Sequence, residues 1–545
     1  MKSIRNGSRS TATVCRKLLS DYVFMPINRP KLLIRADAGP TIGTGHVTRS
    51  LSIAREWKNS GGTATFACGM LPRGLLKKIA SEHFQFIPLK HSECDQADAD
   101  ETKRIAATMH PDWIILDGDR FFKNYLAPLK QAQSKLLLIG ENVSNNAELA
   151  DIVLDQTATS TSPVTNRHQA HCISLSGPEF ALLDKFALPV EFSLPTPRRS
   201  PREARKILVS LGENDQENWT LKTLQSISDL EKKRVVVDCV IGSRYSHAAE
   251  LNQFKRQAKL NLRIHRNRDR VQQLLPRIDL AISSSSAAYQ LAFFGIPTVI
   301  IDLNRQPPRV YAPANQPALG LHGQSEASCR QELKQHIKRL IENPEQRQAI
   351  SEIGQRQVDG LGAKRVVRTM KTGNLTLRPA IAQDSPTIWR WHNDPEVKSV
   401  ALASSDQTPD EFAHEFQTRL ASLSKHYWIF ENTDGTAIGY ACLEELENQR
   451  SAKISVIVDH SKRGRGVGTA IISQASEKLF RQSNHFSIVA QIRPGNIASE
   501  KALRAAGFSG IQPAIVHGQM ALQFELQRPS EIPLRTSRET ANKAA

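Results

Sequence analysis

Short apolar runs closed by polar residues recur along the first part of the chain, separated by polar stretches of helix length. The first series is KLLIRAD (31–37), TATFAC (63–68), FQFIPL (84–89), DWIILDG (112–118), KLLLIG (135–140) and DIVLDQ (151–156). Strands buried on both faces read as such runs, and their alternation with helices predicts βα units and a parallel sheet. A second series comprises ILVSLG (207–212), RVVVDCVIG (234–242), LRIHRN (262–267), DLAISSSS (279–286) and PTVIID (297–302), closed by a polar helical stretch at 329–360. The pattern predicts an α/β chain with two Rossmann-like lobes, 31–195 and 207–370. The Pro- and Arg-rich segment 196–206 is expected to link them. Ligands in such sheets bind at the carboxyl ends of strands, here in a cleft between the lobes.

From Leu375 the grammar changes. Helical segments come first, then YWIFENTDGTAIGYACLEE (427–445) and SAKISVIVDH (451–460) alternate as antiparallel strands, with a turn at Asp434–Gly435. A third, α+β domain is expected over 375–528, and disordered tails at 1–30 and 529–545.

Charge and cysteine content narrow the function classes. The formal net charge is +18, much of it in the N-terminal tail and the linker, and no basic stripe is interleaved with aromatics. This favours phosphate-bearing small ligands over nucleic acid. No apolar run reaches the ~20 residues that a membrane-spanning helix needs. The 7 cysteines are scattered without a C-x-x-C pair, which predicts no zinc or disulfide framework and suits a cytoplasmic protein. Residues 1–30 lack the apolar block of a secretory signal. A transit peptide fits them less well than a disordered tail or a start at Met25.

The turn after the first run, IRADAGPTIGTGHV (34–47), carries chemistry-bearing residues. Gly43 and Gly45 permit close approach of backbone to a ligand, and the following helix start favours a phosphate. By themselves they are equally consistent with a packing turn, and His46 with a loop hydrogen bond. The wider pattern Arg35, Asp37, Ile42, Gly43, Gly45, His46, Arg49 resembles the opening of the UDP-2,4-diacetamido-2,4,6-trideoxy-β-L-altropyranose hydrolases of the pseudaminic-acid pathway. The resemblance extends over about 31–340, through ADIVLDQ (150–156), GPEFALL (177–183), ILVSLGENDQENWTL (207–221) and DLAISSSSAAYQLAFFGIP (279–297). It implies a GT-B-like fold in which His46 takes a proton from the water attacking the sugar's C1. Asp37 would orient that ring or touch the sugar, and Arg35 and Arg49 would lie at the substrate. It further places UDP in the second lobe, around Gly242, Ser243, Ser286, Tyr289 and Gln290. The family usually has glutamate at the place of Gln290.

In the third domain, RGRGVGTA (463–470) is an R-x-x-G-x-G loop between a strand and a helix, and RPGNIASEKALRAAGF (493–508) follows. No G-K-[ST] follows the loop, which excludes a Walker site. The pairing is similar to the GNAT N-acetyltransferase superfamily. That resemblance implies that the amides of Arg463, Gly464, Arg465, Gly466, Val467 and Gly468 hold the pyrophosphate of acetyl-CoA. Backbone at Ile457 and Val458 would align the thioester, and Asn496 would contact the cofactor. IWRWHNDPEVKSV (388–400) resembles the start shared by sugar-amine and ribosomal-protein acetyltransferases. Amine acetylation needs a base, for which Glu444 and Glu445 are the candidates, equally consistent with exposed strand ends. Leu503 stands where many relatives carry the tyrosine that protonates the leaving thiolate.

Together these resemblances imply a bifunctional enzyme of nonulosonic-acid synthesis. It would acetylate a UDP-linked amino-sugar with acetyl-CoA and then release UDP, with no metal and no membrane insertion. The alternatives are a UDP-sugar glycosyltransferase, or a non-catalytic nucleotide-sugar binder, fused to an acetyltransferase of a protein or another metabolite.

Overall fold

The computed structural model describes residues 29–528 except 40–41, 119, 141–146, 157–171, 184–199, 213–214, 232–233, 243, 267–272, 285–286, 304–315, 322–323, 403–406, 423, 433 and 447–449. Residues 1–28 and 529–545 of the expected tails, Ser243 and Ser286 lie outside the described residues, whereas Pro30 is held by Thr63 N and Trp57 Nε1 on its carbonyl.

The first sheet contains β1 (Lys31–Ala36), β2 (Thr63–Cys68), β3 (Gln85–Pro88), β4 (Trp113–Asp117), β5 (Lys135–Ile139), β6 (Ile152–Asp155) and β7 (Ile173–Ser176). Their spatial order is β3-β2-β1-β4-β5-β6-β7, and every pairing is parallel. Alternation within the apolar runs serves two cores. Leu32, Ile34, Ile115 and Leu137 fill one face, and Leu33, Ile114, Leu116 and Leu136 the other. The second sheet contains β8 (Lys206–Ser210), β9 (Val236–Val240), β10 (Asn261–His265), β11 (Leu280–Ser284), β12 (Thr298–Asp302) and β13 (Ala318–Gly320), ordered β10-β9-β8-β11-β12-β13. Strand order reverses between β1 and β4 in one sheet and between β8 and β11 in the other. In open α/β sheets that reversal opens a crevice at the strands' carboxyl ends.

Helix α1 (Gly45–Asn59) follows β1, and a later helix, α2 (Gly362–Thr372), packs against it. Val366, Val367 and Met370 of α2 belong to the core of the first lobe, although the sequence pattern groups them with the second. The expected linker is also partly structured. Ala204 is fully buried in the second lobe's core, and Arg347 donates to the Pro201 carbonyl.

The third domain is a mixed sheet of β14 (Thr376–Pro379), β15 (Lys425–Glu431), β16 (Ala437–Glu445), β17 (Ser451–Val458), β18 (Ser487–Ile492), β19 (Ser509–Val516) and β20 (Gln519–Gln527), ordered β14-β15-β16-β17-β18-β20-β19. The β15–β16 turn carries Gly435 at φ +78, a conformation suited to glycine. Helices α3 (Ser385–His392), α4 (Pro395–Val400), α5 (Pro409–Leu420), α6 (Val467–Gln482) and α7 (Ile497–Ala505) complete it. The Arg528 guanidinium donates to the carbonyls of Phe480 at 2.7 Å, Ser483 at 2.5 Å and His485 at 2.7 Å, closing the end of α6. Arg528→Ala should therefore cost about 1–3 kcal/mol in urea unfolding, the range for stranding buried acceptors. An unchanged midpoint would show that water replaces the guanidinium.

No helix among the described residues is long and apolar enough to cross a membrane.

Candidate functional site

At the β1/β4 crevice, Gly39 and Gly43 exchange reciprocal backbone hydrogen bonds of 3.0 and 2.8 Å. Gly43 has φ +81, and a Cβ on Gly43 or Gly45 would meet nothing within 4 Å. The two glycines therefore leave open space in front of α1. The N-cap residue Thr44 makes no side-chain cap, and the first turn holds no acidic residue, so nothing there competes with an anion.

His46, in that first turn, places Nδ1 2.9 Å from Oδ1 of Asp117, at the end of β4. Asp117 is fully buried and also accepts from Ser50 Oγ at 2.8 Å and Arg49 Nε at 2.8 Å. Burial pushes the Asp117 carboxyl up, but Arg49 and His46 outweigh it and hold it below the usual carboxylate range. An ionised Asp117 takes the hydrogen of His46 Nδ1. The Arg49 nitrogen 3.0 Å from that same Nδ1 must then donate to Asp117 instead. This tautomer leaves Nε2 as a lone-pair acceptor, with no hydrogen bond to it among the described residues.

The resemblance has Asp37 orienting His46 or touching the sugar; the carboxylate against His46 is Asp117, not Asp37. Asp37 accepts from the amides of Gly69 and Met70 at 2.8 and 3.1 Å and pairs with Arg35 at 2.7 Å. Arg35 is fully buried and grips Asp98 through Nε at 3.1 Å and a terminal nitrogen at 2.6 Å. Its guanidinium is committed to the protein rather than presented to a substrate. Arg49 reaches Asp117 and the imidazole, so its contact with substrate would run through His46.

In the second lobe, Gly242 is buried after β9, and Gln290 is half-buried on a short helix. Tyr289 donates its hydroxyl to the Gln156 carbonyl of the first lobe, bridging the lobes. The helix at Trp219–Ser228 already has its first amides filled by Asp215, at 2.9 and 2.7 Å, and by Asn218. It therefore offers no vacant anion site.

The third domain contains a wedge. β17 pairs with β16 as far as Val458, but with β18 only through Ser451–Lys453, while β18 stays paired with β20 to Ile492. Beyond Lys453 the two central strands diverge, and Ile457 and Val458 lie on the edge freed by that divergence. The loop after β17 has Gly464 at φ +74 and Gly466 at φ +81, and Gly466 caps α6. The amide of Arg463 is spent on His460 O at 3.3 Å. Those of Gly464, Arg465, Gly466, Val467 and Gly468 bond to no described residue, which fits the pyrophosphate of acetyl-CoA. Gly468 sits close to Val458 and Ala502, and the Val467 side chain is buried in the core. The Arg463 side chain turns away from the loop, to Val458 O at 3.1 Å, Asp394 at 3.2 Å and Glu396 at 2.6 Å. Asp394, Glu396 and His460 bring ligand atoms within 4.8 Å of one another, but the Arg463 guanidinium already balances both carboxylates. Asn496 caps α7, accepting from Ser499 N at 3.1 Å, which leaves its amide nitrogen for another partner.

Glu444 does not match the expected base. It lies opposite Lys453, four residues along β17 from Ile457, hence roughly 13 Å away at the closed end of the wedge. Lys425 at 2.9 Å and Lys453 at 3.4 Å flank it; burial pushes its carboxyl up, and the lysines hold it below the usual range. Glu445 lies 3.8 Å from both His426 and His485. Leu503 is buried in the core and offers no proton. Tyr440, directly across from Ile457, and its partner His392 are what the sequence reading missed. They come from segments far apart in the chain, and no local motif joins them.

Comparison with known proteins separates the two parts of the chain. Residues 374–509 match the Acetyltransferase (GNAT) domain family. An uncharacterized protein, MJ1062, of Methanocaldococcus jannaschii is 26% identical over 282 residues, 50% of this chain and 56% of its own length. The chain thus spans little more than half of that relative. Among solved structures, the spermidine N-acetyltransferase of Vibrio cholerae with CoA and spermine is 19% identical, with a TM-score of 0.27, over 29% of this chain and 98% of its own. The aminoglycoside acetyltransferase AAC(6')-Ib with ribostamycin and coenzyme A is 19% identical, with a TM-score of 0.27, over 30% of this chain and 99% of its own. Two parallel-sheet lobes precede a C-terminal domain that matches the GNAT acetyltransferase family model.

Proposed function

We propose that the chain is a cytoplasmic two-site enzyme acting on a UDP-linked amino-sugar. The third domain acetylates the sugar's amine with acetyl-CoA, and the paired lobes, in a GT-B-like arrangement, then hydrolyse the product to free sugar and UDP. The observation that carries the front reaction is the His46–Asp117 pair, at the sheet's switch point and before an uncapped helix start.

In the front site, Nε2 of His46 takes a proton from water while the water oxygen bonds to C1 and the C1–O bond to UDP breaks. Asp117 fixes the ring's tautomer and balances the imidazolium, which then gives its proton to solvent. The amides of α1 face the charge leaving on the diphosphate. Gly242, Ser243, Ser286, Tyr289 and Gln290 are the proposed nucleotide contacts of the second lobe, with Tyr289 also bridging the lobes.

In the rear site, five unused amides and the exposed Arg465 side chain hold the pyrophosphate, and Ile457 and Val458 present the thioester at the wedge. Gly466→Ala should weaken CoA binding about 10-fold. A Cβ at φ +81 costs about 1–2 kcal/mol, and the strain would turn the amides aside. Isothermal titration with CoA checks this, and an unchanged Kd would move the pyrophosphate elsewhere.

The deciding experiment is incubation with acetyl-CoA and UDP-4-amino-4,6-dideoxy-β-L-AltNAc, with CoA and UDP release followed separately. Release of CoA without UDP would overturn the front reaction and leave the rear one. Helix α2, which ties the second lobe into the first lobe's core, equally suits a glycosyltransferase. A product that forms only with a second acceptor would favour that reading.

A further inference from the structure

Helix α3 is fastened to the end of β17, because Trp391 Nε1 donates to Asp459 Oδ2 at 2.9 Å. The Trp391 ring also stacks on Tyr440, centroids 6.3 Å apart and planes 4° from parallel. Tyr440 stands across from Ile457 in the β16–β17 register, and Ile457 packs on the same aromatic cluster. The next residue of α3, His392, is thereby held below the part of β17 that has left β18. Its ring lies 5.5 Å from that of Tyr440 and 5.7 Å from that of Phe412.

Nε2 of His392 is hydrogen-bonded to the Tyr440 hydroxyl. Burial pushes the Tyr440 phenol up, so it keeps its hydrogen and donates it to Nε2. Burial first, and then Arg419, push His392 down to about 4, so the ring is neutral near pH 7. Its one hydrogen is therefore on Nδ1. That atom has no hydrogen-bond partner among the described residues.

The charges around this spot are already matched. Arg463 balances Asp394 and Glu396, Arg419 and Gln407 hold Glu415, Trp391 and Ser461 hold Asp459, and Lys425 and Lys453 flank Glu444. A polycationic amine would find no unpaired carboxylate among these groups, whereas His392 offers a neutral N–H donor.

Resting on the acetyltransferase reading, we infer that His392 selects the acceptor. Its Nδ1–H donates to an oxygen next to the reacting amine, and Tyr440 is the positioning residue that holds the ring. The site thereby takes hydroxylated amines such as amino-sugars in preference to polyamines. One neutral hydrogen bond of this kind is worth roughly 10-fold or somewhat more in affinity.

The test uses the full chain with acetyl-CoA and three acceptors: UDP-4-amino-4,6-dideoxy-β-L-AltNAc, cyclohexylamine and spermidine. His392→Phe should raise KM for the amino-sugar about 10-fold or more. The CoA Kd and kcat/KM for cyclohexylamine, which has no oxygen to read, should stay within about twofold. Tyr440→Phe should give a smaller rise in the same KM, and His392→Gln, which keeps a donor, should recover part of the loss. Equal losses with the amino-sugar and cyclohexylamine, or no loss, would overturn the inference. Wild-type protein that binds CoA but prefers spermidine would overturn it while sparing the acetyltransferase reading. Failure of the wild type to bind CoA would remove both.

Discussion

Replacing His46 with alanine is expected to slow UDP release by roughly 100- to 10,000-fold, the usual contribution of a positioned proton acceptor, while CoA release from the third domain is unchanged. The two sites share no residue, so the reactions can be scored separately in one incubation. Asp117→Asn should be nearly as damaging although it preserves shape. An amide has no charge to hold hydrogen on Nδ1, and Arg49 would lose the carboxylate that draws it away from the imidazole. Asp37→Asn is the informative contrast. Asp37 receives two loop amides and an arginine but does not touch His46. Its replacement should lower stability more than it alters the pH profile of UDP release. If His46→Ala released UDP at the wild-type rate, the lobes would be a binding module or would act through other residues.

A comparably large effect is expected where the three folded parts meet. Glu477 of α6 accepts from Arg365 Nε at 2.8 Å, and Arg368 and Arg481 lie 3.6 and 3.4 Å from it. Asp359 takes Arg365 at 2.9 Å and also receives Arg481, while Arg365 donates further to the Glu179 carbonyl. Burial pushes both carboxyls up, but the arginines outweigh it and hold both below the usual range. Glu477→Ala would leave this knot with one acid against three guanidiniums, a change worth about 3–5 kcal/mol by analogy with other broken buried pairs. Glu500→Ala, which removes an exposed partner of Arg504 on α7, should cost under about 1 kcal/mol. Chemical unfolding midpoints decide the matter, and equal shifts for the two variants would mean that water already enters the knot. The pH response has a definite sign. Because both folded values are depressed, the contribution is fully present above the unfolded carboxylate range near 4. It is lost as pH falls through the lower folded values. Glu477→Gln should therefore flatten the acid limb of the stability curve.

Much of the architecture was legible because parallel strands buried on both faces leave unmistakable apolar runs, and β1, β4 and β5 lie where those runs are. The turns that carry His46 and the glycines of 463–468 were legible as loops between a strand and a helix, and each does precede a helix in the structure. Asp117 was visible in principle: DWIILDG ends in an acid as KLLIRAD does, and adjacent parallel strands bring such ends together. What one sequence cannot supply is register. Glu444 reads as a free acid at a strand end until β15 and β17 place a lysine on either side of it. Arg35 reads as a ligand contact until Asp98, from a distant helix, claims its guanidinium. The Tyr440–His392 pair likewise exists only after a helix has folded over a strand.

Helix α2 leaves the second lobe and finishes inside the first, where Gly362 approaches the Ala181 carbonyl so closely that a methyl group would stand 2.3 Å from it. The sheets are therefore strapped together and cannot swing apart like two beads on a string. The crossing between them at 358–361 is fixed as well, because Asp359 is tied to Arg365 and Arg481 and Val358 is fully buried.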